Sequence, residues 1–111
     1  MGSIASFARF AALLGNPARA AMLLALRGGR ALTATELARV AGIAPQTGSG
    51  HLAQLSSAGL VTIERRGRIR YHRLASFEVG LAIDGFMFIA ATLPGKRRKL
   101  AAFRSRRPLN A

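Results

Sequence analysis

The segment between Thr33 and Gly59 carries the start and stop signals of two short helices separated by a turn of three residues. Thr33 with Glu36 forms a capping box, in which each side chain bonds the other residue's backbone N–H. Gly42 stops the first helix, Pro45 opens the second, and Gly59 closes it. A three-residue turn containing glycine sets two such helices steeply against each other. This segment therefore predicts a helix-turn-helix around which the remaining chain packs.

Further helix signals flank this pair on both sides. Residues 3–14 place apolar side chains on one helical stripe, and Asn16-Pro17 supplies the cap and first residue of a second helix. Towards the other end, Ser76 caps a last helix that is mostly apolar. We expect residues 1–95 to form one domain, and residues 96–111 to form a basic tail that is either a short helix or disordered.

Two short strands are predicted between the fourth helix and the last. Val61 and Ile63 alternate with polar neighbours, as do Ile69 and Tyr71, which is the period of a strand. We place the two-residue hairpin loop at Arg66-Gly67, where the glycine supplies the positive φ that such loops need. The fold class is mainly α with a small β-hairpin wing. It is a winged helix-turn-helix in the order α-α-(β)-α-α-β-β-α, the bracketed strand being a short extended piece.

The charge of the chain is strongly one-sided. Seventeen Lys and Arg face four acidic residues, giving a net charge of +13, which indicates a polyanionic partner. Nucleic acid is the first such partner to consider, and an anionic membrane surface is the alternative. Strand alternation would present Arg68, Arg70 and His72 on the exposed side of the hairpin. We predict that a wing made of Arg65, Arg66, Arg68 and Arg70 grips DNA phosphates.

The helix opened by Pro45 is predicted to enter the major groove of DNA. Its first turns offer small polar side chains that hydrogen-bond base edges and phosphates, and no acidic residue. Glycines inside a helix cost about 1 kcal/mol each relative to alanine, so Gly48 and Gly50 predict a helix that is pliable until DNA is bound. The candidate DNA-binding residues of this helix are Gln46, Thr47, Ser49, Gly50, His51 and Gln54.

The apolar run from Val79 to Leu93 spans fifteen residues and includes Asp84. A membrane-spanning helix needs about 20 mostly apolar residues, so we expect no membrane partner. A helix that is apolar on all sides must be covered, and a domain of this size cannot cover it alone. The run is therefore interpreted as part of an interface between two copies of the chain.

Several segments, taken in order, resemble the ArsR family of winged helix-turn-helix repressors over roughly residues 5–92. They are Ala12-Leu13-Leu14-Gly15-Asn16-Pro17-Ala18-Arg19, Thr35-Glu36-Leu37-Ala38, residues 44–55, Ala58-Gly59-Leu60-Val61, Arg65-Arg66-Gly67-Arg68 and Tyr71-His72-Arg73-Leu74. The resemblance implies a homodimer joined by the first and last helices, an inverted-repeat operator, and repression relieved by an effector. The expected dimer-interface residues are Ile4, Phe7, Phe10, Leu14, Ile83, Phe86, Met87 and Ala90.

The sequence also argues against several chemistries. It has no cysteine, which removes disulfides and thiolate metal sites and fits a reducing cytoplasm. Metal-sensing members of the family carry a cysteine pair on the third helix, where this chain has Leu37-Ala38-Arg39-Val40, and its only histidines are His51 and His72. We expect no metal, no cofactor and no catalysis. The predicted function is a dimeric, sequence-specific repressor, and the alternative is an architectural or general nucleic-acid-binding protein.

Overall fold

A computed structural model describes residues 2–94, and the predicted basic tail of residues 96–111 lies outside them. Within the described range the chain forms five helices and one antiparallel hairpin. They are α1 (Ile4–Leu14), α2 (Pro17–Ala25), α3 (Ala34–Ala41), α4 (Pro45–Ser57), β1 (Val61–Arg66), β2 (Ile69–Leu74) and α5 (Phe77–Ala90). This order confirms the predicted winged helix-turn-helix. The chain divides between Gly80 and Leu81 into two compact units, which are described separately.

The helix starts follow the local signals in the sequence. Asn16 Oδ1 accepts the backbone N–H of Arg19 at 3.1 Å and caps α2. In α3, the Thr33 N–H donates to Glu36 Oε1 at 2.8 Å and the Glu36 N–H donates to Thr33 Oγ1 at 3.2 Å. The bond from the Thr33 backbone lowers the pKa of Glu36. Gly42 ends α3 with φ +69°, a conformation that glycine adopts without strain. The predicted caps of both helices are confirmed.

The core of the first unit lies where α2, α3 and α4 meet, and α4 also packs against β1. Leu37 and Ala38 of α3 and Leu52 and Leu55 of α4 point into this core. Val40 of α3, by contrast, is 54% exposed. The buried apolar side chains of this unit are Met22, Leu23, Leu26, Leu37, Ala38, Leu52, Leu55, Leu60 and Val61.

Gly48 lies at the point where α4 passes closest to α3. The glycine is buried, and a Cβ built on it would lie 2.9 Å from the Cβ of Ala38 and 3.4 Å from Cε of Met22. The first of these separations is shorter than real Cβ contacts tolerate, and the Ala38 Cβ is fixed to its backbone. Gly48 therefore has a packing role that the sequence does not reveal, since it lets the two helices of the motif approach each other closely.

The hairpin pairs β1 with β2 in a regular antiparallel register from Val61↔Leu74 to Arg66↔Ile69. The loop is therefore Gly67-Arg68, one residue later than predicted, because Arg66 still pairs within the ladder. Gly67 has φ +63° and Arg68 does not have a positive φ, which is the pattern of a type II′ turn with glycine at its first central position. The short extended piece before α3 forms a single bridge, in which Leu32 pairs with His72.

The helix α5 begins as predicted, since Ser76 Oγ accepts the backbone N–H of Val79 at 3.2 Å. Ile83 is its one buried residue, at 4% exposure. Its remaining large apolar side chains are exposed: Phe77, Leu81, Phe86, Met87, Phe88 and Ile89. Among residues 2–94 no helix combines the length and apolar character that crossing a membrane would need.

Candidate nucleic-acid interface

The first two turns of α4 present a polar surface to solvent. Gln46, Thr47, Ser49 and Gly50 are exposed, while Gly48 between them faces inward and fixes which side of the helix points outward. Pro45 occupies the first helical position, and no side chain caps this end of the helix. The first N–H groups of a helix lack partners within it, and they favour anions such as phosphate. This end of α4 therefore combines exposed polar side chains with backbone donors suited to an anion.

His51 and Gln54, further along α4, hydrogen-bond to the chain itself. The Arg19 guanidinium donates to Gln54 Oε1 at 2.7 Å and to His51 Nδ1 at 3.2 Å. A guanidinium only donates, so Nδ1 of His51 is the acceptor. Arg19 Nε also donates to the carbonyl of Leu13 at 2.9 Å, which ties the end of α1 to α4. Contact of His51 and Gln54 with DNA remains a prediction, and the structure gives both residues a bond to Arg19.

The wing has two faces that differ in charge. On one face Arg65 lies opposite Arg70, and no hydrogen bond or ion pair within the described residues involves either guanidinium. On the other face Glu64 pairs with Arg73 at 2.9 Å and with Arg66 at 3.5 Å. These contacts with Arg73 and Arg66 lower the pKa of Glu64. The first face therefore carries uncompensated positive charge, and the second is partly neutralised.

Arg66 also lies over the ring of Tyr71, with its guanidinium carbon 5.3 Å from the ring centroid, within range of a cation–π contact. Arg68 occupies the second position of the turn and is exposed. Of the four predicted wing residues, Arg65, Arg68 and Arg70 therefore have side chains not held by an acidic neighbour, and Arg66 has two neighbours in the hairpin. The ion pair with Glu64 and the contact with Tyr71 therefore distinguish Arg66 from the other three arginines of the wing.

The prediction that His72 is exposed beside Arg68 and Arg70 is wrong. His72 is 5% exposed, because Leu32 pairs with it through N–H···O bonds of 3.1 and 2.7 Å. Its Nδ1 lies 3.3 Å from the Leu32 carbonyl oxygen and donates to it. Burial lowers the pKa of His72, although this bond opposes the shift. His72 therefore anchors the base of the wing and does not contribute to its exposed charge.

The helix and the wing share one depression. A concavity of about 180 Å³ is lined by Ser49 and Leu52 of α4, by Arg70 and His72 of β2, and by Ala34, Ala53 and Ile63. Ser49 was predicted to read bases and Arg70 to grip phosphates, and the two residues line the same small space. The fold thus brings the two predicted classes of DNA contact together on one surface of the first unit.

The predicted dimer-interface residues differ in their exposure. No residue of α1 is buried, and Ile4 and Phe7 are 89% and 68% exposed. Phe10 and Leu14 are half-buried. In α5, Phe86 and Met87 are 41% and 44% exposed and Ala90 is half-buried, whereas Ile83 is buried within the single chain. Ile83 is therefore not exposed for contact with a partner in this structure.

Sequence reasoning missed two residues that organise this surface. Arg19 lies in a segment that resembles the ArsR family, and it bonds to both α1 and α4. Glu64 is the one acidic residue of the hairpin. The sequence therefore indicated that Glu64 would pair with some of the arginines of the hairpin and leave the others unpaired. Across residues 2–94 no group of three or more His, Asp or Glu side chains is placed to hold a metal ion.

Comparison with known proteins shows which proteins this chain is similar to. A family model described as a helix-turn-helix domain matches residues 14–64. Over 85 residues the chain is 42% identical to the uncharacterized HTH-type transcriptional regulator YdfF of Bacillus subtilis (strain 168), an alignment covering 77% of this chain. The chain spans 38% of the length of YdfF, so the comparison concerns the part of YdfF that the chain matches.

Solved structures show the same fold. The homodimeric winged helix-turn-helix DNA-binding domain of Mb0332 from Mycobacterium bovis, a possible ArsR-family transcriptional regulator, superposes with a TM-score of 0.71 at 29% identity. That match covers 78% of this chain and 80% of the domain. A crystal structure of a possible transcriptional regulatory protein from Mycobacterium bovis (fragment 1–100) matches at 31% identity and a TM-score of 0.65. The second match covers 78% of this chain and 92% of that one.

Proposed function

This chain belongs to the ArsR family of winged helix-turn-helix transcriptional regulators, and on that premise we propose that it is a sequence-specific repressor. In this proposal two copies bind an inverted-repeat operator in double-stranded DNA. Each copy inserts the start of α4 into the major groove and lays its wing along the adjacent backbone.

The observation that carries the proposal is the shared depression of α4 and the wing. Ser49 on its helical side and Arg70 on its wing side line one space of about 180 Å³. Base edges are read by hydrogen-bonding side chains, whereas phosphates are held by unpaired guanidinium groups. A surface that presents both side by side suits one DNA duplex lying across it. Gln46, Thr47 and Ser49 are the proposed readers, Gly50 is a proposed contact of the helix backbone with DNA, and Arg65, Arg68 and Arg70 are the proposed phosphate contacts.

A homodimer is supported by two independent features. Exposed apolar side chains occur on α1 and again on α5, and large apolar patches on small domains mark surfaces of association. The Mycobacterium bovis domain with the same fold is homodimeric. A two-fold dimer would present two copies of α4, and a palindromic operator mirrors that symmetry.

The experiment that tests this function selects fragments of the source genome on the purified protein and footprints those that are retained. We expect a protected site with two-fold symmetry, bound at least about a thousandfold more tightly than random DNA at physiological salt. Replacing Gln46 or Ser49 by alanine should change the preferred sequence. Equal affinity for selected and random fragments would contradict sequence-specific repression.

General nucleic-acid binding is the second candidate, and the net charge of +13 favours it. Charge alone supplies affinity without sequence preference, and that affinity falls steeply with salt. The same binding experiment separates the two candidates. A general binder would show neither a symmetric footprint nor a change of preference on substitution of Gln46.

A further inference from the structure

A groove of about 560 Å³ lies beside the far half of α4, and Ala53 lines both this groove and the concavity that α4 forms with the wing. Helices α1, α2 and α4 each contribute to its walls. Its lining residues are Arg9, Ala12, Leu13, Arg19, Ala53, Gln54 and Ser57. All of these residues belong to the first unit of the chain, so the groove is a feature of the helix-turn-helix unit itself.

The charge of Arg19 in this groove is not neutralised by its neighbours. Arg19 is half-buried, and the acceptors of its hydrogen bonds are all uncharged: the Leu13 and Ala12 carbonyls, Gln54 Oε1 and His51 Nδ1. None of the residues lining the groove is acidic. A cation that is partly withdrawn from water favours a nearby anion. The groove therefore has the electrostatic character of an anion site.

Arg9 and Ser57 complete the donor set. Arg9 is exposed on α1, and no hydrogen bond or ion pair within the described residues uses its guanidinium. Ser57, at the end of α4, adds a hydroxyl group to the opposite wall. Ala12 and Ala53 line the groove with small side chains, so a bulky group can approach the donors closely. Two guanidinium groups and a hydroxyl are donors suited to a phosphate.

The position of the groove indicates which phosphate it would meet. Ala53 follows Gly50 by three residues and Ser57 follows Ala53 by four, so all three lie on one side of α4. That side also carries Gln46 and Thr47, which precede Gly50 by four and three residues. We infer that the groove binds a phosphate of the DNA backbone, with Arg9 and Ser57 in contact and Arg19 supplying charge while it holds α1 against α4. This inference rests on the proposed function and adds a second backbone contact to that of the wing.

The test compares Arg9→Gln with Arg9→Lys, a pair that differs in charge at one exposed site. Binding of each full-length protein to the selected operator and to random DNA is measured from low to high salt. We expect Arg9→Gln to weaken binding to the operator and to random DNA by a similar factor. It should also reduce the slope of log affinity against log salt by about one unit per protomer. Arg9→Lys should retain most of the slope. Ser57→Asp, which places a negative charge in the groove, should reproduce the loss seen with Arg9→Gln.

The groove could bind a free oxyanion instead of a DNA phosphate, since both offer the same acceptor oxygens. A second experiment distinguishes these two ligands. Inorganic phosphate is titrated against chloride at constant ionic strength, without DNA, while the backbone amide signal of Ser57 is followed by NMR. A shift in the wild type that Arg9→Gln abolishes, together with an unchanged salt slope, would overturn the DNA assignment in favour of a free anion. An unchanged slope with no such shift would overturn the site altogether.

The repressor proposal and the inferred phosphate contact can be contradicted by different results. If the protein binds selected and random DNA equally, sequence-specific repression fails, yet the salt slope of Arg9→Gln on random DNA still decides whether the groove contacts a phosphate. If the wild type binds no DNA, the inferred backbone contact fails with it.

Discussion

At the scale of single residues, Gly48 controls how closely the two helices of the motif approach each other. Gly48→Ala should destabilise the protein by about 1–3 kcal/mol, because the added methyl would lie within 2.9 Å of the Ala38 Cβ and overpacked cores lose stability on that scale. Gly50 is the matched control, since it lies two residues on in the same helix with open space around it. Gly50→Ala should stabilise by up to about 1 kcal/mol through helix propensity.

Urea denaturation of both variants, followed by circular dichroism without DNA, measures the two changes in the free energy of unfolding. Opposite signs would establish that a packing constraint, and not helix propensity, requires glycine at position 48. Equal stabilisation by both alanines would show that α3 and α4 can move apart without cost.

His72 should make the stability of the fold depend on pH. Burial lowers its pKa in the folded chain, so the unfolded chain binds more protons between the two values. Its stabilising contribution is complete above the ordinary histidine pKa, roughly 6.5, and is lost as the pH falls through that value towards the lower folded one. We expect the thermal midpoint of unfolding of the wild type to decrease as the pH is lowered from 7.5 to 5.

The comparison for this prediction is His72→Asn, whose amide can still donate to the Leu32 carbonyl but does not titrate in this range. The thermal midpoint of this variant should depend less on pH than that of the wild type. Parallel curves for the two proteins would assign the acid sensitivity to other groups.

At the scale of elements, the wing divides its arginines between two faces. Arg65→Gln should weaken binding to all DNA sequences and lower the salt slope by about one unit per protomer, because the Arg65 guanidinium has no acidic partner in the hairpin. Arg66→Gln removes the same charge one residue away. Its effect should be clearly smaller, since Arg66 is already paired with Glu64 at 3.5 Å and rests on Tyr71.

Fluorescence anisotropy with one labelled duplex at several salt concentrations provides the comparison. If Arg65→Gln and Arg66→Gln lose affinity equally, the wing acts as a diffuse positive charge, and its two faces have no separate roles.

The elements also show what the sequence could and could not predict. Caps such as Asn16 and the pair of Thr33 and Glu36 are local signals within four residues, and both were predicted correctly. The burial of His72 depends on Leu32, which lies forty residues away, so strand alternation gave the wrong face. The hairpin loop was misplaced by one residue because Gly67 satisfies either position of a two-residue turn.

The candidate nucleic-acid interface likewise has features that the sequence predicted and features that it did not. Exposure of Gln46, Thr47 and Ser49 follows from helical periodicity after Pro45, and the sequence was sufficient to predict it. The bonds of Arg19 to His51 and Gln54 join residues 32 and 35 positions apart. Such pairings arise from tertiary packing, and the sequence pattern carries no trace of them.

At the scale of the whole molecule, the proposed dimer depends on apolar surface that a single chain leaves exposed. Phe7→Glu should convert the dimer to a monomer, because it places a charge on the exposed apolar side of α1. Sedimentation velocity at micromolar concentration measures the change. Ala5→Glu is the control, since Ala5 is also exposed but lies about 160° around the helix from Phe7.

A wild-type protein that sediments as a monomer at the concentration of tight operator binding would contradict the dimeric repressor. Because two protomers would share one operator, the loss of dimerisation should also reduce operator affinity far more than affinity for random DNA.

The bridge between Leu32 and His72 has a consequence for how the wing moves. Two backbone bonds there, and the bond from Arg73 to the Gly29 carbonyl at 3.0 Å, clamp the base of the hairpin to the segment before α3. From Glu64 to Arg70 every residue is exposed, and the ladder between the two strands is what holds this part of the hairpin. The hairpin is thus fixed at its base, and we expect its tip to bend more readily than its base. In hydrogen exchange, the amides of Leu32 and His72 should be protected to near the global limit, and that of Gly67 should exchange freely.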